Sequence, residues 1–322
     1  MDKFGKNFIL SDSGGTHDDK ICGKIIGCPK GVAIDFDFIR TEMKRRAPST
    51  DALSSKRREP DEVTFLSGIE KGLSTGEEIR FEIPNRDVKI NPETVNVIKP
   101  SHASYTYKMK YGIADNSGTG RASARQTACR VVAGAIAKLI LKKVGITIHA
   151  ETESIAPIRP QDTSGARVHC TISGVPAGLG EPIYDKFDAR LAYAMLSINA
   201  AKGFEIGKGF QAANMNGSEY NDLQNPDFSF QTNNDGGVQA GISNGQDIYF
   251  SVAFKPIPTL QKAQKTIDFQ GNPALYKGNN RNDVSVVPRV LPVVEAMAAL
   301  VTLDFLLESE KIKEIQNPKI KI

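Results

Sequence analysis

The chain has 322 residues, 40% of them hydrophobic and 24% charged, with a formal net charge of +4 at pH 7. This is ordinary globular composition, and with no window approaching eighteen uninterrupted apolar residues a membrane-spanning helix is excluded. The N-terminal MDKFGKNFIL lacks an apolar h-region with a small-residue cleavage site, and Cys22, Cys28, Cys129 and Cys170 lack CxxC spacing, so a cytoplasmic protein with reduced thiols is expected.

In chain order, the first unusual feature is SDSGGTHDDK, residues 11–20, which sets His17 behind two glycines and beside Asp18 and Asp19. A pliable backbone can approach a ligand there, and the carboxylates can orient or charge the ring. Arg40, Lys44, Arg45, Arg46, Lys56, Arg57 and Arg58 follow closely, a density that suits an anionic partner as well as a solvated basic face. EEIRFEIPN (77–85) alternates apolar and polar residues as a half-buried strand does.

KPSHASYTYKMKYG (99–112) places His102 among Lys99, Lys108, Lys110, Tyr105, Tyr107 and Tyr111, a setting for an anionic, ring-containing ligand; a structural histidine is the competing reading. A neighbouring cation lowers a histidine pKa and a bound phosphate raises it. In NSGTGRASARQ (116–126), Gly118 and Gly120 precede a helix for which Ser123 and Gln126 have capping-box spacing. Free amides with Arg121 and Arg125 make a candidate phosphate seat, and an ordinary capped helix is the alternative. The motif is neither a Walker A loop nor a GxGxxG fingerprint. The helix continues with Ala128, Val131, Val132, Ala135, Ile136 and Leu139 on one apolar stripe.

His149 and His169 lie in strand-like alternations and are assigned to structure. ARVHCTISG (166–174) and QDIYFSVAF (246–254) read as strands, with Ile248, Phe250, Val252 and Phe254 on one face. FKPIPTLQKAQKTID (254–268) and NNRNDVSVVPR (279–289) are late basic loops containing Lys255, Lys262, Lys265, Asp268, Arg281, Asp283 and Arg289. A second long helix, LPVVEAMAALVTLDFLL, has Pro292 in its first turn, and the charged tail from about 309 is expected to be loosely held. Without a linker or repeat, one α+β domain spanning 1–322 is expected. On residues alone, an enzyme acting on phosphorylated small molecules leads, with an RNA-binding protein as competitor.

Six collinear blocks carry a family resemblance: SKRREPDEVTFLSGI, HASYTYKMKYG, GTGRASARQTACRVVAGAIAK, INAAKGFEIGKGF, KPIPTLQKAQKTID and VVPRVLPVVEAMAALV. Together they resemble the chorismate synthase family along nearly the whole chain. The resemblance implies a β-α-β sandwich of antiparallel sheets and helices, a homotetramer, and anti-1,4-elimination of phosphate from 5-enolpyruvylshikimate 3-phosphate. It also implies reduced FMN, which lends the substrate an electron and recovers it; NADPH is involved only if the protein reduces its own flavin.

By the same resemblance, His17 protonates the departing phosphate, His102 supplies a proton at the reduced flavin, and Asp268 is a candidate base for the C6 proton. Arg46 and Arg57 match arginines near substrate and cofactor. Arg121, Ala122, Ser123, Asn199, Ala200, Ala240, Lys255, Pro256, Ile257, Pro258, Thr259 and Arg281 match flavin-contacting positions.

There are departures. GGTHD stands for the family's GESHG, with Gly15, Thr16 and Asp18 as replacements, and KPSHAS stands for RPGHAD. Ala52 replaces an arginine, Ala122 a serine, Ala240 a glycine and Asn282 a histidine, which thins the anion-binding shell; Lys44, Lys56 and Lys99 are candidate compensators. One lost contact to a dianion costs about 1.5–3 kcal/mol. The chain is also expected to be shortened chiefly around YNDLQNPDFSFQTNNDGG (220–237). A working enzyme requires His17 and His102 on one flavin-sized cavity. A divergent binding homologue permits one to turn away, and an RNA-binding module requires a continuous basic surface, so nucleic acid is not the expected partner.

Overall fold

Alternating apolar residues build two antiparallel sheets in the computed structural model, which describes residues 2–48, 53–54, 59–87, 96–112, 120–278 and 282–309. In the first sheet β1 (Lys3–Phe4), β2 (Ile9–Ser13), β3 (Lys20–Ile26), β7 (Ile79–Pro84) and β4 (Thr64–Ser67) lie side by side in that order. Ile21, Ile25, Ile79, Phe81 and Ile83 form its buried face. Gly23 has no side chain because the Phe81 ring fills that space, 2.2 Å from where a Cβ would stand.

The second sheet runs β10 (Ala201–Ile206), β13 (Ile248–Phe254), β9 (Ala166–Ser173) and β8 (Thr147–Ile155). Its register sets Ile248, Phe250 and Val252 opposite Ile172, Cys170 and Val168, all buried, as the alternation requires. Three small hairpins join β5 (Ile69–Glu70) to β6 (Leu73–Ser74), β11 (Val238–Gln239) to β12 (Ile242–Ser243), and β14 (Gln264–Ile267) to β15 (Pro273–Tyr276).

Helices α1 (Phe36–Arg46), α3 (Thr127–Lys143), α4 (Phe187–Leu196) and α6 (Leu291–Glu308) fill the space between the sheets. Helix α2 (Ser104–Tyr111) and the single turn α5 (Gly217–Tyr220) are more exposed. Helix α3 packs on β2, β3 and α1, and α6 on β8, β9 and α4, so the α3–α6 contact forms the centre of the expected β-α-β sandwich. At that crossing Gly134 admits Ala296, whose Cα lies 2.4 Å from the position of a Cβ. Helix α6 is apolar all round and buried from Pro292 to Leu306. Its carboxylates are satisfied: Asp304 accepts the amides of Lys6, Asn7 and Phe8, and Glu295 accepts from Arg45, Lys138 and the Ala150 amide.

Two sequence expectations need correction. No capping box forms at Ser123: its hydroxyl accepts the Arg125 amide, while the Gln126 side chain donates outward to the Gly14 carbonyl at 2.7 Å. A 3₁₀ turn, Ala124–Gln126, therefore precedes α3, which begins at Thr127. The basic run does not present one solvated face, because Arg45 and Arg46 turn inward to carboxylates. The 220–237 stretch is an ordered loop in which Asp222 accepts from Thr232, Asn234 and Asp235. Lys56, Arg57, Arg58, Ala52, Arg281 and the tail from 310 lie outside the described residues.

Candidate active site

The site is built on a buried ionic floor. Arg46, the last residue of α1, donates from Nη1 to Asp61 at 2.6 Å, from Nε to Thr127 at 3.2 Å and from Nη2 to the Ala124 carbonyl at 3.1 Å. Arg125 takes the other Asp61 oxygen and also donates to Asn85 at 2.7 Å and the Pro84 carbonyl at 3.0 Å. All three charged side chains are buried. Burial pushes the Asp61 carboxyl up, but the facing Arg46 and Arg125 guanidiniums prevail and hold it below the usual carboxylate range. The buried Glu59 carboxylate also acts on Arg125, so charges of both signs make up the floor.

Above this floor lies a cavity of ≈ 360 Å³. Its lining includes the ionisable Arg46, His102, Lys255, Asp283 and Arg289 and the apolar Ile198, Ile257, Pro258, Val286, Val290 and Val293. Hydrogen bonds hold the five loops that meet there. Lys255 donates from Nζ to the Ser101 carbonyl at 2.7 Å and from its amide to the Ala200 carbonyl at 2.9 Å. Asn199 donates to the Ala122 carbonyl at 2.8 Å, and Arg289 donates to the Arg46 carbonyl at 3.0 Å and to Asp283 at 2.7 Å.

His102 is pushed down to about 4 by burial, with the Lys99 and Lys255 charges adding to the effect. It is therefore neutral at pH 7. Its Nδ1 is buried without a hydrogen-bond partner among the described residues, leaving that nitrogen free for a ligand.

Of the residues nominated from sequence, the cavity wall gathers Arg46, His102, Ala122, Ser123, Asn199, Ala200, Lys255, Ile257 and Pro258. Pro256 and Thr259 lie in the same loop but not in that wall. His17 sits in the turn between β2 and β3, held by Asn85 donating to the Gly15 and Asp18 carbonyls at 3.1 and 2.6 Å. That turn lies against the 120–126 loop, with Gly120 Cα 3.6 Å from where a Gly15 Cβ would stand. His17 itself is not a wall residue of this cavity. Asp18, a departure from the family pattern, has a local use: it accepts the Gly15 amide at 2.6 Å and closes the turn.

Arg121 turns away from the ≈ 360 Å³ cavity. It pairs with Asp12 and with Asp2 at 3.1 Å, in the wall of a second cavity of ≈ 720 Å³ that also contains Arg130, Tyr107 and Tyr111 and shares Ala122 with the first. Arg125, nominated for the same phosphate seat, is committed to the floor. Ala240, at φ 51, lies in the β11–β12 turn and is not a residue of that wall. Asp268 is also elsewhere: its carboxylate accepts the amides of Gln270 and Asn272 at 2.9 and 2.8 Å and the Asn272 side chain at 2.9 Å, shaping the β14–β15 turn. The Asn272 side chain, more than the turn amides, holds it below the usual carboxylate range.

Asp283 and Arg289 were visible in sequence only as charges in a late loop. Their pairing needs the turn between residues 283 and 289, which periodicity does not reveal. Lys99 acts on the His102 ring as a nearby charge, whereas Lys44 is exposed on α1.

A profile of the chorismate synthase family matches residues 8–160 and 158–307. The "Chorismate synthase" of Christiangramia forsetii is 45% identical, with 96% of this chain and 98% of that protein covered. That of Parabacteroides distasonis is 43% identical, covering 95% and 98%. A solved structure, "Crystal Structure of Chorismate Synthase", superimposes with a TM-score of 0.74 at 27% identity, covering 95% of this chain and 93% of that one. The two sequence alignments run over 350 positions against 322 residues here, so the relatives carry residues that this chain lacks. The two matched segments meet at 158–160, in the β8–β9 connection. Among the described residues no helix is long and apolar enough to cross a membrane. With one profile running from residue 8 to 307 and relatives matched nearly end to end, the chain belongs to the chorismate synthase family.

Proposed function

We propose that this chain removes phosphate and the C6 proton from 5-enolpyruvylshikimate 3-phosphate to give chorismate, using reduced FMN. The observation that carries the reading is the convergence of the loops around Ser101, Ala122, Asn199, Lys255 and Asp283 on one cavity lined by both cationic and aliphatic side chains. The aliphatic residues suit a flat ring system, and the cations suit phosphate and carboxylates. The residues present fit FMN: Lys255, the Ala122–Ser123 and Asn199–Ala200 backbone and the Ile257–Pro258 wall would hold it beside the buried His102 nitrogen. When bound, reduced FMN supplies an electron that the substrate returns, so no net redox change results.

Proton handling belongs to the side chains. Asp283 is the carboxylate among the described residues of the cavity wall, oriented by Arg289, and is the better candidate to take the C6 proton; Asp268 is engaged in its turn. Neutral His102 can accept or relay a proton, and an anionic ligand beside it would raise its proton affinity. His17, against the loop at 120–126, is the proposed general acid toward the leaving phosphate. A homotetramer is the proposed assembly, and light scattering would check it.

The deciding experiment is an anaerobic assay with dithionite-reduced FMN and 5-enolpyruvylshikimate 3-phosphate, following chorismate and phosphate together. Equal amounts of both are expected, with His17→Ala losing turnover while keeping FMN affinity. One observation favours a second reading, a homologue that binds without turnover: His17 is not in the cavity wall. FMN binding without product, in folded protein, would establish that reading instead.

A further inference from the structure

Residues 156–165, the connection between β8 and β9, mark the place where the family profile divides. The connection is closed at its base by the Ala156 amide donating to the Gly165 carbonyl at 2.9 Å. Beyond that base it is bonded to two walls of the cavity. Thr163 donates from its hydroxyl to the Ile257 carbonyl at 2.7 Å, the Gln261 amide donates to the Gln161 carbonyl at 3.2 Å, and Lys262 pairs with Asp162 at 2.9 Å. The Ser164 amide also donates to the Val284 carbonyl at 2.9 Å, next to Asp283. Gly165 allows this closeness, since a Cβ there would stand 2.8 Å from the Phe254 carbonyl oxygen.

The loop after β13 needs such support. Pro256 and Pro258 have no amide hydrogen, so this segment cannot build a ladder of its own and takes its position from outside partners. Ile257 and Pro258 face the cavity, and the Thr163 hydroxyl holds the carbonyl between them.

We propose that the short β8–β9 connection is a brace for the cofactor cavity, with Thr163 as a positioning residue that sets the Ile257–Pro258 wall for the flavin ring. The proposal rests on the FMN reading given above. Thr163 acts through Ile257 and touches no reacting atom.

The test compares Thr163→Val, Thr163→Ser and the wild type by FMN affinity, amide hydrogen exchange and thermal unfolding. Thr163→Val is expected to weaken FMN binding about three- to tenfold, the loss of one hydrogen bond. It should also speed exchange at Ile257, Thr259, Leu260 and Gln261, with Tm within about 4 °C of wild type. Thr163→Ser should restore both affinity and protection. Wild-type exchange across that segment in Thr163→Val would overturn the brace, as would faster exchange spread over the whole fold. If the wild type binds no FMN, the functional reading fails, and the exchange result still decides the brace.

Discussion

Arg289 donates to Asp283 at 2.7 Å inside the cavity and, through Nε, to the carbonyl of Arg46 at 3.0 Å. A partly buried guanidinium thus ties the only carboxylate among the described wall residues to the ionic floor. Arg289 is held below the usual arginine range by burial and by Arg46, with Asp283 opposing.

Asp283→Asn should therefore cut turnover by about 10²- to 10⁴-fold, the range for a lost general base, with FMN affinity close to wild type. Asp268→Asn should keep turnover within about threefold and lose about 1 kcal/mol of stability through its turn. Anaerobic stopped-flow kinetics on both variants would decide, and the reverse order of effects would return the base role to Asp268.

His102 gives a pH dependence with a definite sign. Its folded pKa of about 4 lies below the ordinary 6.5, so on acidification the unfolded chain takes the proton first. The contribution is fully present above pH 6.5 and is lost as pH falls toward 4, about 3 kcal/mol in all. Denaturant midpoints of the wild type and His102→Gln from pH 7 to 4 should converge on acidification, and parallel curves would show that the ring does not titrate this way.

Asp61→Ala removes the shared partner of two buried guanidiniums. Breaking such a pair from one side costs about 3–5 kcal/mol, because the remaining charge is left uncompensated. Urea unfolding should report that loss, whereas a change below about 1 kcal/mol would mean water reaches Arg46 and Arg125.

Gly134→Ala tests the centre of the sandwich. The added methyl would meet Ala296 Cα at 2.4 Å, a backbone obstacle rather than a flexible side chain. A loss of about 1–3 kcal/mol is expected from forcing α3 and α6 apart. An unchanged Tm would show that the helices slide without cost.

Much of the fold was legible because periodicity is local. Side chains alternate every two residues along β13 and return every 3.6 along α3, so each buried face could be read without knowing what covers it. The site was legible in part for the same reason. His102, Ser123, Asn199 and Lys255 sit in short blocks that carry the family pattern, and the fold brings those blocks together.

The sequence by itself determined strands β7, β9 and β13, the helices α3 and α6 with the proline that starts the latter, and membership of the family. The tertiary structure decided which charges face the ligand. Arg121 and Arg125 stand four residues apart in one motif, yet one goes to Asp12 across a second cavity and the other to Asp61, 64 residues away. A guanidinium is committed by whichever buried carboxylate the chain delivers beside it, and that delivery is a long-range event. Neither composition nor spacing encodes it.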